Sequence, residues 1–269
     1  MYKYIAIDFD GTLLGPDHNI SHRSVKVLKK LQDKGIIILL CSGRNVSQMN
    51  FVAEKIDSDH HDTFIISDNG GVITEIDNGK RSVLRNAKFE AEQLLGILNL
   101  TKGKTKVQSS FNDGVRYITK INVSQMLRAL IRFREFTKIG KPEVASKILL
   151  VDKPEHIEQV YDQVKTEVLD KYSDVNVFRS VPTLIEITPN GSTKGLGLKT
   201  VFDLKGWDLK DLIVFGDGEN DISMFEVAGH AVAMENAFDT VKAVADEVCL
   251  SNKEDGVAVY LEQIYSEIL

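Results

Sequence analysis

The stretch "YIAIDFDGTLL", residues 4–14, decides the expected fold, because an apolar strand here runs straight into two carboxylates. An apolar run of this kind is typical of a strand that is buried on both faces of a parallel sheet. Asp8 and Asp10 come where this strand ends, with Gly11 and Thr12 behind them. Acidic groups are costly at the end of a buried strand, so their position indicates a site that uses them.

Strand and helix patterns alternate on either side of a middle segment, and this alternation predicts a parallel sheet. Ser21 can cap a first helix, which Gly35 ends. The predicted strands are 2–8, 36–41, 63–67, 212–217 and 231–234. Helices are predicted at about 45–55, 237–245 and 256–268, and two more are predicted to begin near 193 and 220. We therefore expect an α/β fold, a Rossmann-like parallel sheet with helices on both faces, formed by residues 1–82 and 188–269.

The middle segment, residues 83–187, has a different pattern and is predicted to be an inserted α+β cap domain. A hairpin around Asp77, Asn78 and Gly79 leads into it. Hairpins mixed with helices favour a largely antiparallel sheet. Its predicted strands are 106–111, 115–119, 147–151, 175–179 and 183–188, with a turn at 112–114 and helices at 124–136 and after Pro154.

Composition excludes several classes of protein. The 269 residues are 43% hydrophobic and 27% charged, with a formal net charge of -6, which argues against a general nucleic-acid binder. No apolar stretch approaches the roughly 20 residues of a membrane helix, and the first strand leaves no room for a signal peptide. Only Cys41 and Cys249 occur, so no disulfide framework is expected. We expect a cytoplasmic protein without membrane or nucleic-acid partners, while its oligomeric state stays open.

A second strand, "LIVFGD", also ends in a carboxylate, Asp217, with Asn220 and Asp221 close behind. Parallel strands present their carboxyl ends at one edge of the sheet, where such folds bind ligands. If the two strands are neighbours, their acids repel one another or share a cation. Mg²⁺ is the expected cofactor, because it takes oxygen ligands and is typically held by one or two carboxylates together with a substrate phosphate.

Further residues at the same edge fit a phosphate group. The strand "IIILLC" ends in Ser42, Gly43 and Arg44, which offer a hydroxyl and free N–H groups. Lys194 lies at the start of a later helix, where its charge could neutralise a phosphate and a carboxylate together. These parts indicate phosphoryl transfer, with Asp8 as the nucleophile and Asp10 as the acid and base.

The motifs "DFDGT", "SGR", a lysine at a helix start and "GDGEND", in this order, resemble the haloacid dehalogenase superfamily of phosphohydrolases. Within it the chain looks most like the Cof-like hydrolases, which share "GDGEND", an "NG" turn after the third strand and a large α+β cap. The resemblance implies that Asp8 is the nucleophile and Asp10 the acid and base. It also implies that Asp8, Asp217 and the main-chain carbonyl of Asp10 bind Mg²⁺.

The same resemblance makes Ser42 and Lys194 phosphate-binding residues, assisted by Asn220 and by the backbone at Phe9 and Gly43. Asp221 would then hold Lys194 or a metal-bound water. Thr12 and Arg44 are expected in supporting positions, and the Arg44 side chain could equally pair with a helix or face the inserted domain. The "DNGG" stretch at residues 68–71 could be a tight turn without any function.

The predicted function is a magnesium-dependent phosphatase that hydrolyses a small phosphorylated metabolite, a sugar phosphate, through an aspartyl-phosphate intermediate. A phosphomutase or phosphotransferase would use the same chemistry and differ only in the group that accepts the phosphoryl. A signalling receiver and a non-catalytic phosphate-binding protein are two further alternatives. A receiver would be much shorter than this chain and would lack an acid two residues after its nucleophile.

Overall fold

The computed structural model describes residues 1–112, 115–120, 137–140 and 142–269 of the chain. It divides into two compact units, Met1–Arg85 with Thr193–Leu269, and Asn86–Ser192. The domain boundaries predicted at 82/83 and 187/188 stay a prediction. The helix predicted at 124–136 and part of the turn predicted at 112–114 lie outside the described residues.

The strands are β1 (Tyr4–Asp8), β2 (Ile37–Cys41), β3 (Thr63–Ser67), β4 (Val72–Asp77), β5 (Lys80–Asn86), β6 (Val107–Asn112), β7 (Val115–Lys120), β8 (Thr137–Ile139), β9 (Lys147–Val151), β10 (Val175–Val181), β11 (Leu184–Pro189), β12 (Leu212–Gly216), β13 (His230–Met234) and β14 (Glu247–Cys249). The helices are α1 (His22–Asp33), α2 (Val46–Lys55), α3 (Ala91–Leu100), α4 (Pro154–Lys171), α5 (Lys194–Lys205), α6 (Ile222–Phe225), α7 (Asp239–Lys242) and α8 (Gly256–Ile264).

The first unit contains an eight-stranded sheet with the order β14-β13-β12-β1-β2-β3-β4-β5. Strands β14 through β3 in this order run parallel, and β4 returns antiparallel to β3. Strand β1 lies between β12 and β2, and all of its residues are buried. The segments that follow β12, β1 and β2 therefore emerge side by side at one edge of the sheet.

Helices cover both faces of this sheet, and alternate residues of β1 show the division. Ile5 and Ile7 pack in one apolar cluster with side chains of α1, α2 and α8. Tyr4 and Ala6 face the other way and pack with side chains of α5 and α6. The period of two in a strand produces this separation. The predicted α/β class, with a parallel sheet between two helical layers, is confirmed.

Capping side chains set where three of the helices begin. Ser21 accepts a hydrogen bond from the backbone N–H of Ser24, and α2 begins with a capping box in which Asn45 and Gln48 bond reciprocally. The side chain of Thr193 accepts from the N–H of Leu196. The cap at Thr193 matters for the site, because Lys194 is the first residue of α5.

The second unit contains a six-stranded sheet with the order β10-β11-β9-β6-β7-β8 in the described part of the chain. Its neighbouring strands are antiparallel except for β7 and β8. Helices α3 and α4 pack on one face, where their apolar residues form a single core with β9, β10 and β11. The predicted α+β character of this segment is confirmed.

Helix α3 was not predicted from the sequence, because Gly96 lies in its interior. Glycine in a helix interior costs about 1 kcal/mol of stability relative to alanine, so its presence disfavours a helix prediction. A Cβ at this position would lie 1.7 Å from Oη of Tyr172, so the packing of that ring requires glycine here. A tertiary contact therefore explains a residue that local propensity disfavours.

Two elements near the C-terminus also differ from the prediction. The helix expected over 237–245 is limited to α7, and the short strand β14 follows it. Two of the three residues of β14 are exposed, so it lacks the apolar pattern that marks the inner strands. In the described ranges, no helix is both long and apolar enough to cross a membrane.

Candidate active site

The carboxyl-terminal edge of the parallel sheet brings together acidic residues from distant parts of the chain. Asp8 is the last residue of β1, and Asp217 directly follows the neighbouring strand β12. Asp221 follows in a short 3-10 turn after β12. Carboxylate oxygens of these three residues all lie within 4.8 Å of one another. The expectation that two strands deliver their acids to one place is met.

Lys194 is the centre of this acidic group and is completely buried. Its Nζ lies 2.5 Å from Oδ1 of Asp8 and 2.6 Å from Oδ1 of Asp221. Burial alone would lower the pKa of Lys194, but the charges of Asp221 and Asp8 hold that pKa above its ordinary value. The lysine therefore stays charged and links the end of β1 to the loop after β12.

The carboxylate of Asp221 is held on both sides. Its Oδ2 accepts hydrogen bonds from the backbone N–H groups of Asp217 and Gly218, at 2.9 and 3.0 Å, while Oδ1 accepts from Lys194. A Cβ at Gly216 would lie 2.5 Å from that of Asp221, so glycine is needed for this loop to close. Asp221 is therefore a fixed anchor for Lys194 and for the main chain beside Asp217.

The Asp217 side chain is oriented by two polar neighbours. Thr12 donates a hydrogen bond to Oδ1 at 3.0 Å, and Nδ2 of Asn236 lies 3.4 Å from Oδ2. Gly11 has a φ of +85°, and a Cβ there would lie 2.2 Å from Oδ2 of Asp217. The glycine of "DFDGT" thus supplies both the left-handed backbone and the space that this carboxylate occupies.

The charge balance of the cluster favours a cation. Burial raises the pKa of Asp8 well above its ordinary value, against the opposing effect of Lys194. Burial, followed by repulsion from Asp221, raises the pKa of Asp217 to about 7. Three carboxylates here share one lysine, so bringing positive charge beside Asp8 and Asp217 would relieve the repulsion. Because all the available donors are oxygens, they fit a hard divalent cation.

The side chain of Asp10 lies apart from this cluster, although its residue is only two positions from Asp8. Arg44 donates two hydrogen bonds to it, from Nε to Oδ2 at 2.7 Å and from Nη2 to Oδ1 at 2.5 Å. Nδ1 of His18 lies 3.4 Å from Oδ1. Burial would raise the pKa of Asp10, but Arg44 outweighs it and holds the pKa below its ordinary value. The sequence left open whether the Arg44 side chain pairs with a helix or faces the inserted domain. In the structure it pairs with Asp10, which was not among these alternatives.

The predicted phosphate-binding residues lie on the neighbouring loops. Ser42 follows β2, is almost fully buried, and its Oγ accepts from the N–H of Arg44 at 3.1 Å. Gly43 lies between Ser42 and Arg44 in the sequence. Phe9, which lies between Asp8 and Asp10 in the sequence, is buried. Asn220 lies in the loop after β12, and its Nδ2 donates to Oδ1 of Asn69 at 2.8 Å. The chemical roles of all these residues stay predictions.

Asn69 was not among the predicted site residues, yet its segment contacts three of the four motifs. The N–H groups of Asp68 and Asn69 donate to the carbonyls of Arg44 and Ser42, at 2.9 and 3.0 Å. A Cβ at Gly70 would lie 2.1 Å from the carbonyl oxygen of Thr193. Together with the bond from Asn220, these contacts show that the "DNGG" stretch is more than a turn.

The available sequence signal for this segment is the run Asp68-Asn69-Gly70, because Asp, Asn and Gly are the residues that most readily adopt a left-handed backbone. Asp68, Asn69 and Gly70 have φ values of +47°, +54° and +88°, three successive residues in the left-handed region. Such strain persists only where surrounding contacts impose it, and it is concentrated at functional sites. Asn236, a second residue missed from the sequence, donates to the carbonyl of Gly11 at 2.8 Å.

Comparisons with known proteins identify the family of this chain. The sequence profile of the haloacid dehalogenase-like hydrolases matches residues 5–261. The Bacillus subtilis (strain 168) protein named 5-amino-6-(5-phospho-D-ribitylamino)uracil phosphatase YwtE is 30% identical over 295 positions, which cover 98% of each chain. The crystal structure of a haloacid dehalogenase-like hydrolase from Bacteroides thetaiotaomicron is 28% identical, with a TM-score of 0.79, and the match covers 98% of this chain and 100% of that one.

A sugar phosphatase of haloacid dehalogenase subclass IIB has a similar fold, with a TM-score of 0.79 at 22% identity over 99% of this chain and 100% of its own. The predicted resemblance to the superfamily and to its Cof-like hydrolases is confirmed. The prediction that the protein is an enzyme of the phosphatase class is also confirmed. The profile of the haloacid dehalogenase-like hydrolase family matches this chain from the first strand to the last helix. The chain therefore belongs to that family.

Proposed function

We propose that this protein is a magnesium-dependent phosphatase that hydrolyses a small phosphorylated metabolite, a sugar phosphate, with Asp8 as the nucleophile. The observation that carries the proposal is the Asp8 carboxylate at the end of β1, 2.5 Å from the buried ammonium of Lys194 and beside Asp217. The YwtE relative is named as the phosphatase of a phosphorylated ribityl compound, and the subclass IIB neighbour as a sugar phosphatase. Both names support a substrate of this class.

The reaction begins when a carboxylate oxygen of Asp8 attacks phosphorus and the bond from phosphorus to the ester oxygen breaks. Lys194 is already charged and in contact with Asp8, so the cation needed to balance the incoming phosphate is in place before the substrate arrives. The leaving oxygen takes a proton from Asp10. Water then attacks the aspartyl-phosphate, gives its proton to Asp10 and releases inorganic phosphate, which restores Asp8.

The residues that would hold Mg²⁺ are Asp8 and Asp217 through their carboxylates and Asp10 through its main-chain carbonyl. Asp221 belongs to the same acidic cluster but is a poorer ligand, because both of its oxygens already accept hydrogen bonds. When bound, the cation reduces the repulsion between the attacking carboxylate and the phosphate ester. Thr12 and Asn236 orient Asp217, which keeps its carboxylate in place for this purpose.

The phosphate group itself would be bound by Ser42, Lys194 and Asn220, with N–H groups at Phe9 and Gly43 assisting. Hydroxyl, ammonium, carboxamide and backbone N–H groups can all donate hydrogen bonds to phosphate oxygens. We infer that segment 68–70 positions them, because it bonds to the loop of Ser42, abuts Thr193 and contacts Asn220. Asn69 is therefore a positioning residue.

The acid role of Asp10 requires a change from the geometry described above. A carboxylate that accepts two hydrogen bonds from Arg44 is held in its ionised form, which cannot donate a proton. We infer that the pair between Arg44 and Asp10 opens when a substrate binds, since the phosphate offers Arg44 another anion. Catalytic hydrogen bonds often form only in the substrate complex.

The proposal is tested by screening phosphorylated metabolites and p-nitrophenyl phosphate with the purified full chain and Mg²⁺, measuring released phosphate. Release from one or more metabolites supports a phosphatase. An isomeric phosphoester in place of inorganic phosphate would instead show a phosphomutase. The absence of turnover on every substrate, the aryl phosphate included, would contradict the proposal. The cytoplasmic location stays a prediction.

Asp8→Asn should lower kcat by about a thousandfold or more, since the amide is nearly isosteric but cannot attack phosphorus. The melting temperature should stay equal or rise slightly, because one of three crowded carboxylates loses its charge. Steady-state kinetics and thermal unfolding measure the two effects. Asp203→Asn, on the exposed side of α5, is the matched control and should leave both unchanged. Activity of Asp8→Asn within tenfold of wild type would exclude Asp8 as the nucleophile.

Chelation should abolish activity, Mg²⁺ should restore it, and Ca²⁺ should restore less than about a tenth of it. Ca²⁺ takes more ligands at longer distances and would loosen the geometry of attack by Asp8. Asp217→Asn should raise the Mg²⁺ concentration needed for half-maximal activity about tenfold or more, whereas Glu226→Gln, an exposed acid after α6, should not change it. A chelated enzyme that keeps its full rate would contradict the metal requirement.

Asp10→Asn should slow the first step about 100-fold or more with an alkyl phosphate, but much less with p-nitrophenyl phosphate. An alkoxide needs a proton to leave, whereas nitrophenolate departs without one. Rapid-quench kinetics measure this step directly. Phosphoenzyme should accumulate with the aryl substrate, because the base for its hydrolysis is also gone. Equal losses on both substrates would count against the acid role.

Asn69→Gly should lower kcat/KM about tenfold and weaken inhibition by inorganic phosphate by a similar factor. Glycine keeps the left-handed backbone but removes the oxygen that holds the Asn220 carboxamide. Asn78→Gly is the matched control, since Asn78 has a φ of +47° in the turn between β4 and β5 and lies outside the site. If the melting temperature of Asn69→Gly falls while phosphate inhibition stays the same, Asn69 has only a structural role.

A further inference from the structure

Two asparagines lie at the same edge of the first unit's sheet as the aspartates of the candidate site. Asn236 follows β13 by two residues, and Asn252 follows β14 by three. Because both strands run parallel to β12, their carboxyl ends open at the edge that also presents Asp217. Neither asparagine was among the site residues predicted from the sequence. On this side of the sheet, the outer strands thus supply amides where the inner strands supply acids.

The side-chain amide of Asn236 bridges the two loops that carry the candidate metal ligands. Its Nδ2 donates to the main-chain carbonyl of Gly11 at 2.8 Å and lies 3.4 Å from Oδ2 of Asp217. Gly11 directly follows Asp10, whose own carbonyl is one of the proposed Mg²⁺ ligands. One NH₂ group therefore connects the peptide after Asp10 to the carboxylate of Asp217.

The other end of the same amide is held by Asn252. The backbone N–H of Asn252 donates to Oδ1 of Asn236 at 3.0 Å. A carboxamide has its donors on nitrogen and its acceptor on oxygen. With the oxygen engaged in this way, the NH₂ group must face Gly11 and Asp217, because the reversed amide would place its NH₂ against the N–H of Asn252. Asn252 therefore sets the orientation in which Asn236 serves the site.

Asn252 also holds the loop after β1 through its own side chain. Its Nδ2 donates to the carbonyl of Leu14 at 2.8 Å. The N–H of Leu14 in turn donates to the carbonyl of Phe9 at 2.9 Å, which closes the turn between them. The loop that follows the proposed nucleophile is thus tied at Gly11 by Asn236 and at Leu14 by Asn252.

The turn that carries Asn252 is tightly constrained. The N–H of Gly256 donates to the carbonyl of Ser251 at 3.1 Å, and a Cβ at Gly256 would lie 1.9 Å from the carbonyl oxygen of Leu250. Asp255 has a φ of +56°, in the left-handed region that is costly for a residue with a Cβ. Such strain persists only where surrounding contacts impose it, and it is concentrated at functional sites.

We propose that Asn252 is a positioning residue for the cation site, and that it acts by fixing the Asn236 amide between Asp217 and the peptide after Asp10. The inference rests on the proposed magnesium-dependent function and deepens it. Asn236 is exposed, so its hydrogen bonds exchange with those of water and add little to the stability of the fold. Their effect falls on the spacing of the ligands, because Mg²⁺ accepts only a narrow range of ligand distances.

The test measures binding of Mn²⁺ to the purified full chain by electron paramagnetic resonance, without substrate. Mn²⁺ takes the same oxygen ligands as Mg²⁺. Asn252→Ala removes the side-chain bond to Leu14, whereas Asn252→Pro also removes the N–H that holds Asn236. Proline fits this position, because Asn252 is the first residue of a 3-10 turn and Ser251 before it has an extended backbone.

Asn252→Pro should raise the Kd for Mn²⁺ about tenfold, and Asn252→Ala should raise it less than about threefold. Asn236→Ala should match Asn252→Pro. The double variant should bind Mn²⁺ no more weakly than either of these two, because both changes break the same link. A residue with only a structural role would lower the melting temperature and leave the Mn²⁺ affinity unchanged.

Glu254→Ala is the matched control, because Glu254 belongs to the same 3-10 turn and Oε2 of its side chain accepts a hydrogen bond from the Ser251 hydroxyl at 2.8 Å. Its removal loosens the turn but leaves the bond between Asn252 and Asn236 in place. This variant should keep the wild-type affinity for Mn²⁺. An equal loss in Glu254→Ala and Asn252→Pro would contradict a specific role of the Asn252 N–H.

An unchanged Kd in Asn252→Pro would overturn the inference, and so would additive losses in the double variant. Because the Asn236 side chain is exposed, Asn236→Ala tests the same link without altering the backbone, and an unchanged Kd in this variant would also overturn it.

Turnover of p-nitrophenyl phosphate by the wild-type enzyme with Mg²⁺ is measured separately and reports the proposed function. Mn²⁺ binding that depends on Asn252 in a protein without turnover would support the positioning role and contradict the phosphatase. Turnover in a protein whose Mn²⁺ binding ignores Asn252 would support the phosphatase and contradict the positioning role. A wild-type protein that binds no Mn²⁺ would contradict both the metal requirement and the positioning role.

Discussion

The buried ammonium of Lys194 is the interaction on which the rest of the site depends. It lies between Asp8 and Asp221, at 2.5 and 2.6 Å, with no exposure to solvent. A buried ion pair of this kind has a large desolvation cost, and removing one partner leaves an uncompensated charge. The arrangement is therefore weak evidence for stability and stronger evidence for a site that needs positive charge beside a nucleophile.

Several features of the first unit follow from keeping this lysine in place. The Thr193 cap sets the start of α5, so that Lys194 is its first residue. The loop after β12 closes only with glycine at position 216, which brings Asp221 to the lysine. The segment at 68–70 packs against the main chain of Thr193, directly before the lysine. Rigid elements, and not the loops alone, thus determine the geometry of the nucleophile.

The two units differ in how they treat their charged groups. In the first unit, the buried charges share partners within one acidic cluster around Lys194. In the second unit, Arg116 is partly buried beside a hydroxyl and an aromatic ring, without a carboxylate partner in the described part of the chain. A cluster of the first kind is suited to the common phosphate chemistry.

The sequence by itself determined the strands, most of the helices and the identity of the acids, because these depend on local patterns. The run before Asp8 reads as a buried strand, Ser21 as a cap, and the motif around Asp217 as a second strand end. Helix α3 was missed because the reason for Gly96 lies in a contact with Tyr172, which no local pattern contains.

Only the tertiary structure decided which charged groups meet. Lys194 is 186 residues from Asp8 along the chain. The family resemblance offered Asp221 as one possible partner of this lysine, but only the fold shows that Lys194 contacts both Asp8 and Asp221. The pairing of Asp10 with Arg44 and the bond from Asn220 to Asn69 have the same origin. The contact between Arg116 and the Phe111 ring depends on the register of β6 and β7, and a shift of one residue would turn Arg116 to the other face. A sequence specifies which side chains are available, and the pairing of its strands specifies which of them share a site.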